Sequence, residues 1–162
     1  MEFTVSTKVT DNFFIDDTKN YLDIRKLTHP ELPLIEPMLE FLYPNLEINT
    51  LRSRIEEISN LNWSCLGVFD KQEKLVALSG YWINTRLYCG KYLYIDHFIV
   101  NQKHRGKGIG SRLLEYIKDI AKNHQCEQIC LDTFISNSLA KKFWFQHNFS
   151  VVGLHFNQSL SS

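Results

Sequence analysis

Apolar residues recur along this chain in two rhythms. Ile48, Leu51, Ile55 and Ile58 are spaced three and four apart, which puts them on one face of a helix over about 47–59. Leu113, Leu114, Ile117, Ile120 and Ala121 predict a second over about 109–123. Another is predicted over about 31–42, with Thr28 and Glu31 as a capping box, Pro33 and Pro37 blurring its limits and Pro44 ending it. A last one is predicted over about 137–147. Elsewhere the pattern is that of strands: Tyr21–Leu27, Asn62–Phe69 and Lys74–Ile83 around the polar turn Asp70-Lys71-Gln72-Glu73, Lys91–Val100, Gln128–Leu131 and Phe149–Leu154. Residues 1–19 have no clear period and read as an arm or an extra strand.

Strands mixed with helices predict an α/β (α+β) class with one central sheet. The 162 residues contain no repeat and no Pro/Gly/Ser-rich linker, so a single domain over 1–162 is expected. Hydrophobic residues make up 44% and charged residues 22%, a globular composition that excludes a disordered chain. The 18 basic and 18 acidic residues cancel, which argues against a general nucleic-acid binder. No apolar run approaches the ~18 residues of a membrane span, and Met1-Glu2-Phe3-Thr4 does not open a signal peptide. The four cysteines, Cys65, Cys89, Cys126 and Cys130, form no C-x-x-C pair. They are read as reduced, mostly buried thiols, with no metal site and a cytoplasmic location.

The zero net charge hides an asymmetry. Residues 1–81 hold 13 acids and 8 bases, and residues 82–162 hold 5 acids and 10 bases. Glu40, Glu47, Glu56 and Glu57 make either a cation-attracting side or simply a solvated helix face. The basic residues gather at Lys103, His104, Arg105, Lys107 and Arg112, around His104-Arg105-Gly106-Lys107-Gly108-Ile109-Gly110-Ser111. This stretch lies between an apolar strand and an amphipathic helix. A helix start leaves backbone N–H groups without partners and carries the positive end of the dipole. Glycines let a phosphate approach that backbone. The spacing is neither the Walker pattern nor G-x-G-x-x-G.

Arg105-x-x-Gly108-x-Gly110 resembles the R/Q-x-x-G-x-G/A motif of the GNAT superfamily of acetyl-CoA-dependent N-acetyltransferases. Asn137-Ser138-Leu139-Ala140-Lys141-Lys142-Phe143-Trp144-Phe145-Gln146-His147-Asn148-Phe149 is similar to the family's N-x-x-A-x-x-F-Y-x-x-x-G-F. The resemblance spans about 21–156 and is sharp within 92–149. It implies a mixed, twisted sheet of about six or seven strands flanked by about four helices, with acetyl-CoA as co-substrate. It implies that 104–111 holds the pyrophosphate and that backbone groups of Phe98, Ile99 and Val100 pair with the pantetheine arm or polarise the thioester carbonyl. It adds Asn137 and Phe143 to the cofactor-binding set, although Phe143 also reads as core. The chain departs from the pattern at Trp144, where the family has a Tyr proposed to protonate the leaving thiolate, and at Asn148, where it has Gly. An indole N–H is no useful acid, so Trp144 either lines the acetyl pocket or fills the core.

An amine of pKa near ~10.4 is protonated at pH 7, and unmasking it costs about 4–5 kcal/mol, against about 2 for expelling a thiolate. A base is therefore the more valuable group. Asp96 is the candidate, because an acid inside so apolar a strand needs a partner or a task. Strict alternation places Tyr94, Asp96, Phe98 and Val100 on one face, and Ile95, His97 and Ile99 on the other. His97 then reads as structural, while Tyr94 and Tyr88 are possible proton donors or ordinary sheet packing. Tyr94-Ile95-Asp96-His97-Phe98-Ile99-Val100 is similar to the corresponding stretch of polyamine (spermidine/spermine) acetyltransferases. The expected activity is acetyl transfer to a primary amine of a small molecule, polyamine-like or amino compound, or of a peptide or protein. No nucleic acid or membrane is expected; the sequence does not fix the oligomeric state, and the resemblance makes a homodimer one option, since many relatives form dimers. The rivals are a CoA-binding module without catalysis and a different phosphate-ligand enzyme.

Overall fold

The computed structural model describes residues 13–15 and 21–160, with side chains from Tyr21 onward. The expected arm or extra strand over 1–19 lies outside the described residues except for Phe13–Ile15, which form the short strand β1. Two compact units are present, Met1–Cys130 and Leu131–Ser162.

The first unit follows the predicted order. β2 (Leu22–Lys26) leads into a 3-10 helix, His29–Ile35, then α1 (Glu36–Leu42) and α2 (Ile48–Ser59). β3 (Trp63–Phe69), β4 (Leu75–Arg86) and β5 (Gly90–Val100) follow, then a 3-10 turn at Gln102–His104, α3 (Ile109–Asn123) and β6 (Gln128–Leu131). Among the described residues the six strands lie side by side in chain order. Each neighbouring pair from β1 to β5 is antiparallel.

The helix predicted over 31–42 is two pieces. Thr28 donates its N–H and hydroxyl to Glu31 Oε2 at 2.9 and 2.7 Å, which fixes the start. Pro33 cannot donate an i−4 hydrogen bond, so the first seven residues wind as a 3-10 helix. The α-helix begins only at Glu36, with Pro37 tolerated in its first turn.

α1, α2 and the 3-10 helix share a core cluster with one face of the sheet, including Ile35, Leu39, Leu51, Ile55, Cys65, Phe69, Leu78 and Ile99. α3 packs against β4 and β5 and buries Leu113, Leu114 and Ile117 completely. These residues fall outside that cluster and cover the other face. Truncating any of them to alanine would cost about 2–5 kcal/mol.

β5 is irregular where it matters. Its register with β4 shifts between Gly80 and Tyr81: Gly80 faces His97 and Tyr81 faces Ile95, so Asp96 is the inserted residue of a β-bulge. The expected alternation therefore fails at Asp96. Gly80 also lies beneath the Trp63 indole, which would stand 2.7–2.9 Å from any added Cβ.

In the second unit α4 (Ser138–Gln146) opens on Asn137, whose Oδ1 accepts from Ala140 N–H at 3.0 Å. It closes with Asn148 in the left-handed region, φ 65°. Phe149 N–H donates to Trp144 C=O and Asn148 N–H to Phe145 C=O, and the Trp144 and Phe149 rings meet at 5.2 Å. This is a Schellman ending with its hydrophobic contact, and Asn148 serves where the family motif has glycine. The strand predicted at Phe149–Leu154 does not form: residues 149–160 lie outside helix and strand, and Val151, Val152 and Leu154 are exposed. An apolar β-branched run becomes a strand only when a neighbouring edge pairs with it.

Candidate active site

The 104–111 loop has the geometry of an anion seat. Gly106 and Gly108 both hold positive φ, 74° and 76°. Gly108 is the residue before α3, and no side chain caps that helix start. The first helical hydrogen bond runs from Arg112 N–H to Gly108 C=O at 3.1 Å. The N–H groups before Arg112 thus have no carbonyl in the helix to donate to. A Cβ added at Gly106 or Gly108 would meet nothing within 4 Å, so the glycines serve an open space rather than tight internal packing. Lys107 and Arg105 are exposed beside it, His104, Gly110 and Ser111 are half-buried, and Ile109 is buried and anchors the helix start. These features fit a pyrophosphate, held by backbone N–H groups, the helix dipole and nearby cations.

One expectation changes here. Arg105 Nε donates to Val100 C=O at 3.1 Å, so that carbonyl is already engaged. Arg105 clamps the end of β5 to the loop and positions the loop in addition to carrying charge. β6 has four residues and starts beside Lys91, where Glu127 N–H donates to Lys91 C=O at 2.7 Å. It borders the first part of β5, and Asp96–Val100 lies beyond it.

At the bulge, Asp96 and His97 both line one cavity of about 330 Å³, between the sheet and α1 and α2. Asp96 Oδ2 and His97 Nδ1 are 2.8 Å apart, an ion-pair distance, but the pair is not aligned as a hydrogen bond. His97 Nε2 lies 2.9 Å from the Tyr43 hydroxyl, with the two rings edge to face. Burial, and then the charge of Asp96, raise the pKa of Tyr43, which keeps it a neutral phenol. The same two causes push the buried Cys65 thiol up to about 12, so it is no nucleophile. Apart from this polar corner and Arg54, the walls are aliphatic and aromatic, among them Leu39, Leu46, Ile58 and Trp63.

The structure therefore joins Asp96 to two residues that sequence reasoning did not place with it, His97 and Tyr43. The missed signal was Gly80, since a lone glycine inside a strand pattern marks a bulge or a close approach. Tyr94 pairs with Trp82 in the ladder and does not line the cavity. Tyr88 is exposed in the β4–β5 turn, where its hydroxyl accepts from Arg86, so it is not a proton donor of this site. Phe98, Ile99 and Val100 follow the bulge on β5. Asn137, Phe143 and Trp144 lie in the second unit, where Trp144 is buried against Phe143 and Phe149. Among the described residues no helix is long and apolar enough to cross a membrane.

Residues 23–149 match the acetyltransferase (GNAT) family. Glucosamine 6-phosphate N-acetyltransferase 1 of Dictyostelium discoideum is 29% identical over 87 residues, 52% of this chain and 55% of that protein. Streptothricin acetyltransferase of Escherichia coli is 28% identical over 101 residues, 61% of this chain and 54% of that protein. These matches span about half the length of the curated relatives. Among solved structures, the aminoglycoside N-acetyltransferase AAC(6')-Iy in complex with CoA superposes with a TM-score of 0.75 at 15% identity. That superposition covers 88% of this chain and 97% of the other, and it shows a shared fold.

Proposed function

The chain belongs to the GNAT family of acetyltransferases, and on that premise we propose that it moves an acetyl group from acetyl-CoA to a primary amine by direct attack, with no acyl-enzyme. The observation that carries the reading is the pairing, within one unit, of an uncapped helix start at Gly108 with a carboxylate at Asp96. Val100, where the loop begins, is about 13 Å of strand from Asp96.

Bound at the loop, acetyl-CoA supplies a thioester carbonyl carbon for a neutral amine to attack. The chain's own residues do the rest. The N–H groups before Arg112 and the charges of Lys107 and Arg105 hold the pyrophosphate. Backbone groups of Phe98 and Ile99 align the arm, and a strand N–H there steadies the oxyanion. Asp96 attracts the ammonium and accepts its proton. With the Tyr43 hydroxyl donating to His97 Nε2, the imidazole carries its proton on Nδ1, facing Asp96. His97 Nδ1 thereby lies 2.8 Å from Asp96 Oδ2 and positions the carboxylate, and the proton that Asp96 takes from the amine leaves to water. Trp144 contributes packing, and thiolate leaves without an acid from that position.

The similarity around 94–100 to polyamine acetyltransferases supports a cationic acceptor, and four free cysteines fit a reducing cytoplasmic setting. Trp144 in place of the family Tyr supports one other reading, a CoA-binding module without turnover. Following CoA release with a panel of amines decides between them: release with an acetylated product supports transfer. Tight acetyl-CoA binding with no product from any amine supports the module.

A further inference from the structure

We propose that the cavity beside Asp96 and His97 takes the body of the acceptor, and that this acceptor is a monoamine carrying an aryl or branched alkyl group. The inference rests on the acetyl-transfer reading for its chemistry and on the walls of the cavity for its specificity.

The cavity holds about 330 Å³, at the lower end of the roughly 300–1,000 Å³ typical of small-molecule sites. The space is half open to solvent, with Tyr43 and Arg54 exposed among its lining residues, so a ligand can enter it. Most of its lining is Leu, Ile and Trp: Leu39 from α1, Ile55 and Ile58 from α2, Leu46 from the α1–α2 turn, and Trp63 and Leu78 from the sheet. Among the described residues that line it, Asp96 is the only acid, and Arg54 adds a positive charge. One carboxylate neutralises one ammonium. A second ammonium, as in a polyamine, would meet aliphatic walls or Arg54. A sugar phosphate would place most of its hydroxyls against Leu and Ile, with the unpartnered Trp63 indole N–H, Arg54 and the polar corner too few to pair them all. A phenyl or branched alkyl group loses only contact with water there. Asp96 Oδ2 is turned in against His97 Nδ1 at 2.8 Å, while the side chain as a whole is about one quarter exposed, which leaves its other oxygen to meet the ammonium.

Two assays on the full chain test this, with acetyl-CoA present in the first and dead-end CoA in the second. Initial rates are measured for ethylamine, propylamine, butylamine, isopentylamine and 2-phenylethylamine, beside spermidine and glucosamine 6-phosphate. Calorimetry then measures binding of 2-phenylethylamine to the CoA complex. The expected result is a gain of about fourfold in kcat/KM per added methylene, with 2-phenylethylamine at least tenfold above spermidine. Ile58→Trp, a replacement on the half-buried side of α2 that fills the cavity, should lower 2-phenylethylamine affinity tenfold or more and leave CoA affinity unchanged. Leu46→Trp, which fills the cavity from the α1–α2 turn, provides an independent second variant with the same expected pattern. A flat alkyl series, or a preference for spermidine or glucosamine 6-phosphate, would overturn the proposal while leaving acetyl transfer intact. Tight 2-phenylethylamine binding that both variants abolish, with no product formed, would support the cavity assignment and count against transfer. Binding that neither variant affects would overturn the cavity assignment.

Discussion

Replacing Gly108 with Asp separates what the loop does for the fold from what it does for a ligand. Gly108 has φ 76° and ψ 2°, a left-handed conformation. A residue with a side chain costs roughly 1–2 kcal/mol there, and Asp is among the residues that tolerate it best. No internal clash adds to this, because a Cβ at this position meets nothing within 4 Å. The carboxylate would also sit favourably against the start of α3, returning about 0.3–1 kcal/mol. The net loss of stability should therefore be about 1 kcal/mol, a fall in Tm of roughly 2–4 °C. A pyrophosphate faces something quite different: a negative group in its seat and the loss of charge-assisted hydrogen bonds worth about 1.5–3 kcal/mol each. Two such bonds lost would weaken CoA roughly 10²–10⁴-fold. Isothermal calorimetry with CoA and a thermal melt on the same preparation provide the test. A near-native melt with CoA affinity reduced at least a hundredfold is expected. CoA affinity within twofold of the parent would refute the assignment of the loop.

Other perturbations reach other parts of the account. Asp96→Asn should lower kcat/KM by about 10²–10³-fold near neutral pH, and the deficit should shrink as pH rises toward the amine pKa of ~10.4; an unaltered pH–rate profile would remove Asp96 from the mechanism. Trp144→Tyr should change kcat by less than about threefold, because thiolate departure is the smaller of the two costs, and a tenfold rise would place the slow step there. The Thr28 hydroxyl and N–H, followed by Arg25, hold Glu31 down at about 2 from an ordinary 4.5. Its contribution is present above the unfolded value and is lost as pH falls through the folded one. The full depression corresponds to about 3 kcal/mol, and solvent reaching the pair reduces this to about 1–2; Glu31→Gln should therefore be less stable than the parent at pH 7, with most of the difference gone as pH falls to 2 in urea melts. Cys65 should resist alkylation in the native protein, as its pKa of about 12 and its burial require, while the half-buried Cys126 and Cys130 react before it by mass spectrometry.

Much of the fold was legible because its signals are local. The limits of α2 and α3 follow from the spacing of Ile and Leu, and the open helix start follows from alternating glycines before Ile109. What was not legible depends on partners distant in sequence. Strand alternation put His97 away from Asp96, but the bulge opposite Gly80 brings both into one cavity. Tyr43 joins them only because α1 folds over the sheet, a contact across 54 positions. The apolar run at 149–154 satisfied every local rule for a strand and found no edge, while Asn148 beside it closed α4 as its tolerance of positive φ allowed.

The most direct test of the central claim is a single-turnover experiment with enzyme in excess over acetyl-CoA and 2-phenylethylamine in solution, quenched and analysed by mass spectrometry. The account predicts free CoA and N-acetylated amine appearing together, at the same rate, on unmodified protein, with Asp96→Asn slowed in both. An acetyl group found on the protein, or acetyl-CoA recovered intact from its complex with every amine tried, would contradict it.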